Sequence, residues 1–128
     1  MLTVLVVDDE PNVVELVRIT LEDASVRVIE AFDGETALVR ACAVQPELIF
    51  LDVNLPDLSG LDVCRALRRD ERFSRTVIVL LTAASRADDV TRGLAAGATH
   101  YLTKPFSPIR LLTLVECLIP NQPIWLPR

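Results

Sequence analysis

The sequence predicts an α/β fold, a doubly wound five-stranded parallel sheet built in (βα)5 order. Three observations carry this expectation. Short apolar, β-branched runs recur along the chain, segments with helical spacing lie between them, and the runs are apolar at nearly every position rather than at alternate ones. Strands of that last kind are covered on both faces, the signature of a parallel sheet. Alternating strands and helices then imply right-handed crossovers.

The expected strands are 3–7, 26–31, 48–53, 76–81 and 99–103. After the first, Asp9-Glu10-Pro11 reads as a helix start with Pro in the first turn, and Val13, Leu16, Val17, Thr20 and Leu21 form one apolar stripe. Ala37, Leu38, Ala41 and Val44 form a second stripe, Leu61, Cys64 and Leu67 a third, and Val90 and Leu94 a weak fourth. The last helix begins at Ser107-Pro108 and runs to about Ile119. Gly34, Gly60 and Gly97 fall between elements as turn residues. Residues 120–128 carry three of the eight prolines and read as an extended linker or docked tail, so the expected division is a domain of 1–119 and a Pro-rich linker or tail of 120–128, with truncation from a longer protein as one hypothesis for it.

Composition excludes several classes. At 128 residues, 51% hydrophobic and 24% charged, the chain is one foldable domain and not a disordered segment. A formal charge of −5 argues against nucleic-acid binding by this domain. The longest apolar run, Val77 to Leu81, is far short of the roughly 20 residues of a membrane span. No basic leader precedes the first strand. Cys42, Cys64 and Cys117 lie far apart and read as small buried core residues, consistent with a reducing, cytoplasmic compartment. Of 13 basic residues twelve are Arg, and the only Lys is Lys104.

In an open parallel sheet, ligands bind beyond the carboxyl ends of the strands. The first run ends in Asp8-Asp9-Glu10, the third in Asp52 followed by Val53 and Asn54, the fourth in Thr82, and the fifth in Lys104-Pro105. Asp8, Asp9 and Asp52 would repel one another if bare, and Mg²⁺ suits such a site because it takes one or two carboxylates together with a phosphate oxygen. A hydroxyl and a lone ammonium on the same edge would serve an anionic group. The set fits phosphoryl transfer to a carboxylate. Taken singly, each residue also has an ordinary reading: helix cap, strand end or solvated cation.

Four motifs in order, Val6-Val7-Asp8-Asp9-Glu10, Leu51 to Gly60, Leu81-Thr82-Ala83, and Tyr101-Leu102-Thr103-Lys104-Pro105-Phe106, resemble those of the receiver domain of a two-component response regulator. The resemblance covers residues 1 to about 119. It implies a flavodoxin-like sheet of order 2-1-3-4-5. It implies that Asp52 accepts a phosphoryl group from a phosphohistidine on a sensor histidine kinase or phosphotransfer protein. Asp9 would bind Mg²⁺ (or Mn²⁺) directly, Asp8 would hold a metal-bound water, and the Asn54 backbone carbonyl would complete the protein's ligands. Lys104 would pair with the phosphoryl group or, at rest, with Asp52, and the Lys104–Pro105 bond would be cis. Thr82 and Tyr101 would form the switch, acting on the fourth helix, fifth strand and fifth helix, the surface for an output domain or dimer partner. Such a domain is not an enzyme beyond its own phosphoryl transfer and autodephosphorylation.

Several readings of the remaining residues accompany this. The fifth helix is apolar almost all round, so it presents an exposed patch to a partner or is covered by the tail with Ile124, Trp125 and Leu126. Charges on that face are sparse, unlike those of winged-helix regulators, which argues against a standard charged dimer and against a winged-helix output domain. Arg65, Arg68, Arg69, Arg72 and Arg75 read as a solvated face, and His100 as a strand-end residue. The alternatives are a receiver-like module that no longer takes phosphate, and a Mg²⁺-dependent phosphatase with an aspartyl-phosphate intermediate. The latter normally needs a second Asp where this chain has Asn54, and a cap for which the chain has no room.

Overall fold

A computed structural model of the chain describes residues 1–83 and 87–119. Its elements are β1 (Leu2–Val7), α1 (Pro11–Leu21), β2 (Val26–Ala31), α2 (Gly34–Val44), β3 (Leu48–Asp52), α3 (Gly60–Arg68), β4 (Val77–Ala83), α4 (Ala87–Ala95), β5 (His100–Lys104) and α5 (Pro108–Leu118), with a 3-10 turn at Glu71–Phe73. All strand pairs are parallel and the sheet order is β2-β1-β3-β4-β5. Strand order reverses between β1 and β3, and this opens a crevice at their carboxyl ends.

The wholly apolar runs are explained by two cores, one on each face of the sheet. Val4, Val6, Leu48, Phe50, Val79 and Leu81 pack against α1 and α5. Leu5, Val7, Ile49, Leu51, Ile78 and Leu80 point the other way, toward α2, α3 and Phe73. The alternation within each strand is therefore apolar on both sides, as the pleat requires.

Helix ends follow local chemistry. Pro108 sits in the first turn of α5, and Ser107 accepts the Arg110 N–H as its cap at 3.2 Å. Pro11 opens α1, but Glu10 makes no capping bond with its side chain, which is directed elsewhere.

Three expectations need correction. Only Cys64 is buried, whereas Cys42 and Cys117 are exposed. The spacing of α2 turns Ala41 inward and its neighbour outward, and α5 buries Leu111 and Val115 instead. Arg68 is not a solvated cation. Its guanidinium donates to the carbonyls of Gly97 and Phe73, both at 2.7 Å, and to Thr99 Oγ1 at 3.1 Å, tying α3 to the turn before β5. Gly34 and Gly60 are the first residues of α2 and α3 rather than turn residues, whereas Gly97, at φ 107°, does hold a left-handed turn.

Gly93, in α4, gives a mild test of packing. A Cβ there would meet Leu80 Cδ1, the far end of a side chain. Gly93→Ala is expected to lose about 1–3 kcal/mol to overpacking and to regain about 1 kcal/mol of helix propensity. A small net loss in urea denaturation is therefore expected, and a loss above that range would show Leu80 unable to yield. The tail, 120–128, on which one reading of α5 depends, lies outside the described residues. Among the described residues no helix is long and apolar enough to cross a membrane.

Candidate functional site

The ladder register brings the polar strand ends to one edge. Val7 pairs with Leu51, Asp52 with Leu81, Thr82 with Thr103 and Ala83 with Lys104. Asp8 follows directly on β1, its N–H held by the Ala31 carbonyl at 3.1 Å. Asp8, Asp52 and Lys104 thus meet at the carboxyl edge, the first two flanking the crevice, and Thr82 lies at the same edge on β4.

At the centre is the Lys104 ammonium, 18% exposed, which reaches across from β5. It lies 2.7 Å from Asp8 Oδ2, 3.2 Å from Asp52 Oδ2 and 3.2 Å from Glu10 Oε1. Burial opposes its charge, but the Asp8, Asp52 and Glu10 carboxylates outweigh that and hold its pKa above the ordinary lysine range. Asp52 is buried at 5% exposure and its Oδ1 accepts the Asn54 N–H at 3.1 Å.

Asp8 is fully buried. Its Oδ1 accepts the Glu10 N–H at 2.9 Å, while Oδ2 has only the ion-pair contact with Lys104 and no well-directed hydrogen bond. Burial pushes its carboxyl above the usual range, and the negative charge of Asp52 adds to this against the pull of Lys104 and the Glu10 N–H. A buried carboxylate oxygen short of donors, in a cluster where Asp8, Asp9 and Glu10 offer oxygens within 4.8 Å of one another, is a donor set that fits a hard cation. Asp9 and Glu10 are exposed. A cavity of about 400 Å³ opens beside the site, lined by Glu10, Val13, Leu16, Lys104, Pro105 and Phe106.

Thr82 is buried at 2% exposure on β4, whereas Tyr101 on β5 is 39% exposed and opposite Leu80, not Thr82. His100 is exposed and its ring stacks on Tyr101 at 5.5 Å. The Lys104–Pro105 peptide is cis. A groove between β5 and α5 is lined by Tyr101, Leu102, Ile109, Leu114, Cys117 and Leu118.

Two contacts had no counterpart in the sequence reading. Glu10 was one acid of a motif, and its place on Lys104 depends on side-chain reach. Asp57 was part of the β3–α3 segment, and two of its three hydrogen bonds, those from the Gly34 and Glu35 N–H groups, arise only when α2 packs alongside. The motif position of either residue gave no signal for these contacts.

A five-stranded parallel sheet of this order, with an acidic pocket and one lysine at its carboxyl edge, defines a class of signalling domain. Residues 4–116 match the family described as the response regulator receiver domain. The chain belongs to that family. It is 41% identical over 116 residues to the DNA-binding dual master transcriptional regulator RpaA of Synechocystis sp., covering 91% of this chain and 48% of that protein. It is 42% identical over 124 residues to the alkaline phosphatase synthesis transcriptional regulatory protein PhoP of Bacillus subtilis, covering 97% and 51%. The chain therefore spans about half the length of these curated relatives. The chemotaxis response regulator CheY4 of Vibrio cholerae superposes with a TM-score of 0.87 at 35% identity, covering 93% of this chain and 99% of that one.

Proposed function

We propose that this chain is the phosphorylatable switch of a two-component phosphorelay, with Asp52 as the acceptor. The observation that carries this is the buried Asp52 carboxylate at the end of β3 with Lys104 Nζ 3.2 Å from its Oδ2. In the reaction an Asp52 oxygen attacks the phosphorus of a phosphohistidine on a sensor histidine kinase or phosphotransfer protein. The P–N bond breaks, its electron pair stays on the imidazole nitrogen, and an acyl phosphate forms on Asp52. Lys104 is already poised to follow the charge from the carboxylate to the phosphoryl oxygens.

Mg²⁺ or Mn²⁺, held by Asp9, Asp52 and the Asn54 carbonyl with Asp8 orienting a bound water, would neutralise the phosphoryl oxygens. Thr82 and Tyr101 form the switch pair. Thr82 turns its hydroxyl to the new anion, and Tyr101, now largely outward, moves into the vacated space. The α4–β5–α5 face then engages an output domain or a second copy. Names of the relatives favour transcription as the output. At a net charge of −5 we assign no DNA contact to this domain, and we infer a cytoplasmic location. The sparse charge of α5 argues against a winged-helix output, whereas the names of these relatives favour a DNA-binding one, and we give the relatives the greater weight.

The test is intact mass after incubation with Mg²⁺ and acetyl phosphate. A gain of one phosphoryl group is expected, and a folded chain that gains none overturns the reading. Asp9→Ala is expected to weaken Mg²⁺ at least about tenfold by calorimetric titration, since even residues supporting a metal ligand carry that much affinity. Unchanged affinity would move the cation elsewhere.

A further inference from the structure

Asp57 lies in the loop joining β3 to α3, five residues beyond Asp52, and is exposed. Its carboxylate nonetheless accepts three backbone N–H groups: Oδ1 those of Gly34 at 2.7 Å and Leu58 at 2.8 Å, Oδ2 that of Glu35 at 2.9 Å. These bonds, the one from Gly34 foremost and that from Glu35 next, hold its carboxyl below the ordinary range. The helix α2 cannot satisfy its own first-turn donors. Asp33, its own cap, takes only the Thr36 N–H, at 2.7 Å. Gly34 and Glu35 are completed by a residue 23 and 22 positions away, from a different loop.

The contact between helix and loop is close. A Cβ on Gly34 would sit 2.8 Å from Leu58 Cβ. The other side of the same loop addresses the site. Asn54 donates to Asp52 Oδ1 and bridges to Ser59, and the Gly60 N–H closes onto the Val53 carbonyl at 2.8 Å. The loop is thus a small ring with Asp52 on one side and the start of α2 on the other.

We propose that Asp57 is a positioning residue, which caps α2 from the β3–α3 loop and thereby fixes the backbone of Asn54 against Asp52 for cation binding and phosphoryl transfer. This rests on the reading of Asp52 and Asn54 given above. Positioning is expected to be reciprocal, because coupling between two sites is the same in both directions. Cation binding at the Asn54 side should therefore tighten the Asp57 bonds to Gly34 and Glu35.

Asp57→Ala and Asp57→Asn separate this from a merely structural cap. Three readouts apply to the folded full chain: calorimetric Mg²⁺ titration, amide hydrogen exchange, and the initial rate of phosphorylation by acetyl phosphate. Asp57→Ala is expected to raise the Mg²⁺ dissociation constant about tenfold, at the low end for residues that support a metal ligand. It should also speed exchange at Asn54 without Mg²⁺ and slow phosphorylation at subsaturating Mg²⁺ far more than at saturation. Asp57→Asn, which keeps one accepting oxygen, should fall between. In the parent chain Mg²⁺ should slow exchange at Gly34 and Glu35, and Asp57→Ala should lose the Glu35 response. If the parent binds Mg²⁺ and takes the phosphoryl group while both variants match its affinity and Asn54 exchange, the positioning role is overturned and the phosphorylation reading stands. If the parent neither binds Mg²⁺ nor gains mass, both are overturned.

Discussion

Asp52→Asn is expected to abolish phosphoryl uptake while leaving the chain folded. The side chain keeps its shape, so the Asn54 N–H can still find an oxygen in place of Asp52 Oδ1, and the buried volume is unchanged. What goes is the nucleophile. An amide nitrogen lends its electron pair to the carbonyl, and the amide oxygen carries no formal charge to attack phosphorus. Lys104 loses one of its three carboxylates but keeps Asp8 at 2.7 Å and Glu10 at 3.2 Å, so the ammonium is not stranded. The measurement is intact mass with Mg²⁺ and acetyl phosphate, read beside the parent. A phosphorylated Asp52→Asn chain would put the acceptor on another residue and refute the assignment.

Gly60→Ala is expected to be the most damaging one-methyl change in the loop. A Cβ at Gly60 would collide with the carbonyl oxygen of Asp52 and stand 2.8 Å from Val53 Cα. These are backbone atoms of the strand end itself, and unlike Leu80 Cδ1 beside Gly93 they cannot swing aside. Either α3 moves off the loop or the end of β3 moves off the sheet. The cost should lie at the upper end for overpacking, about 3 kcal/mol, against a total of about 5–15 kcal/mol for a domain. For a chain of this size that lowers Tm by about 10 °C. Because the clash is with Asp52's own carbonyl, phosphorylation by acetyl phosphate should slow as well. A Tm within experimental error of the parent would mean the loop has slack that the structure does not display.

The sheet was legible because burial on both faces leaves a plain trace: Leu48 to Leu51 and Val77 to Leu81 have no alternation to hide them. Strand ends were less legible. β3 stops at Asp52, and β4 and β5 run on to Ala83 and Lys104, because the ladder pairs Asp52 with Leu81 and Ala83 with Lys104. Register is a property of two strands and is not written in either one. The acids and the lysine could be named from their places at strand ends, but the sharing of one ammonium by Asp8, Glu10 and Asp52 could not, since it depends on a side chain reaching across from β5. Cys42 and Cys117 went astray for a related reason: an apolar neighbourhood in sequence does not say which side of the helix meets the sheet. Gly60 read as a turn residue because nothing local tells how near the helix start will come to the preceding strand.

The order β2-β1-β3-β4-β5 leaves two strands with an open side, and those two carry polar residues along their length rather than only at the site. β2 brings Arg27 and Glu30, and β5 brings His100 and Thr103 ahead of the pocket-facing Lys104, whereas β1, β3 and β4 are apolar but for Thr3 and the site residues Asp52 and Thr82. An open strand edge is a template on which a second chain can add, and charges along it discourage that addition. Growth of the sheet from molecule to molecule is thereby disfavoured at both ends. The α4–β5–α5 face would then meet a partner through its side chains and not by extending the ladder, and side chains can follow a chemical event at the sheet's carboxyl edge without breaking a single strand pair.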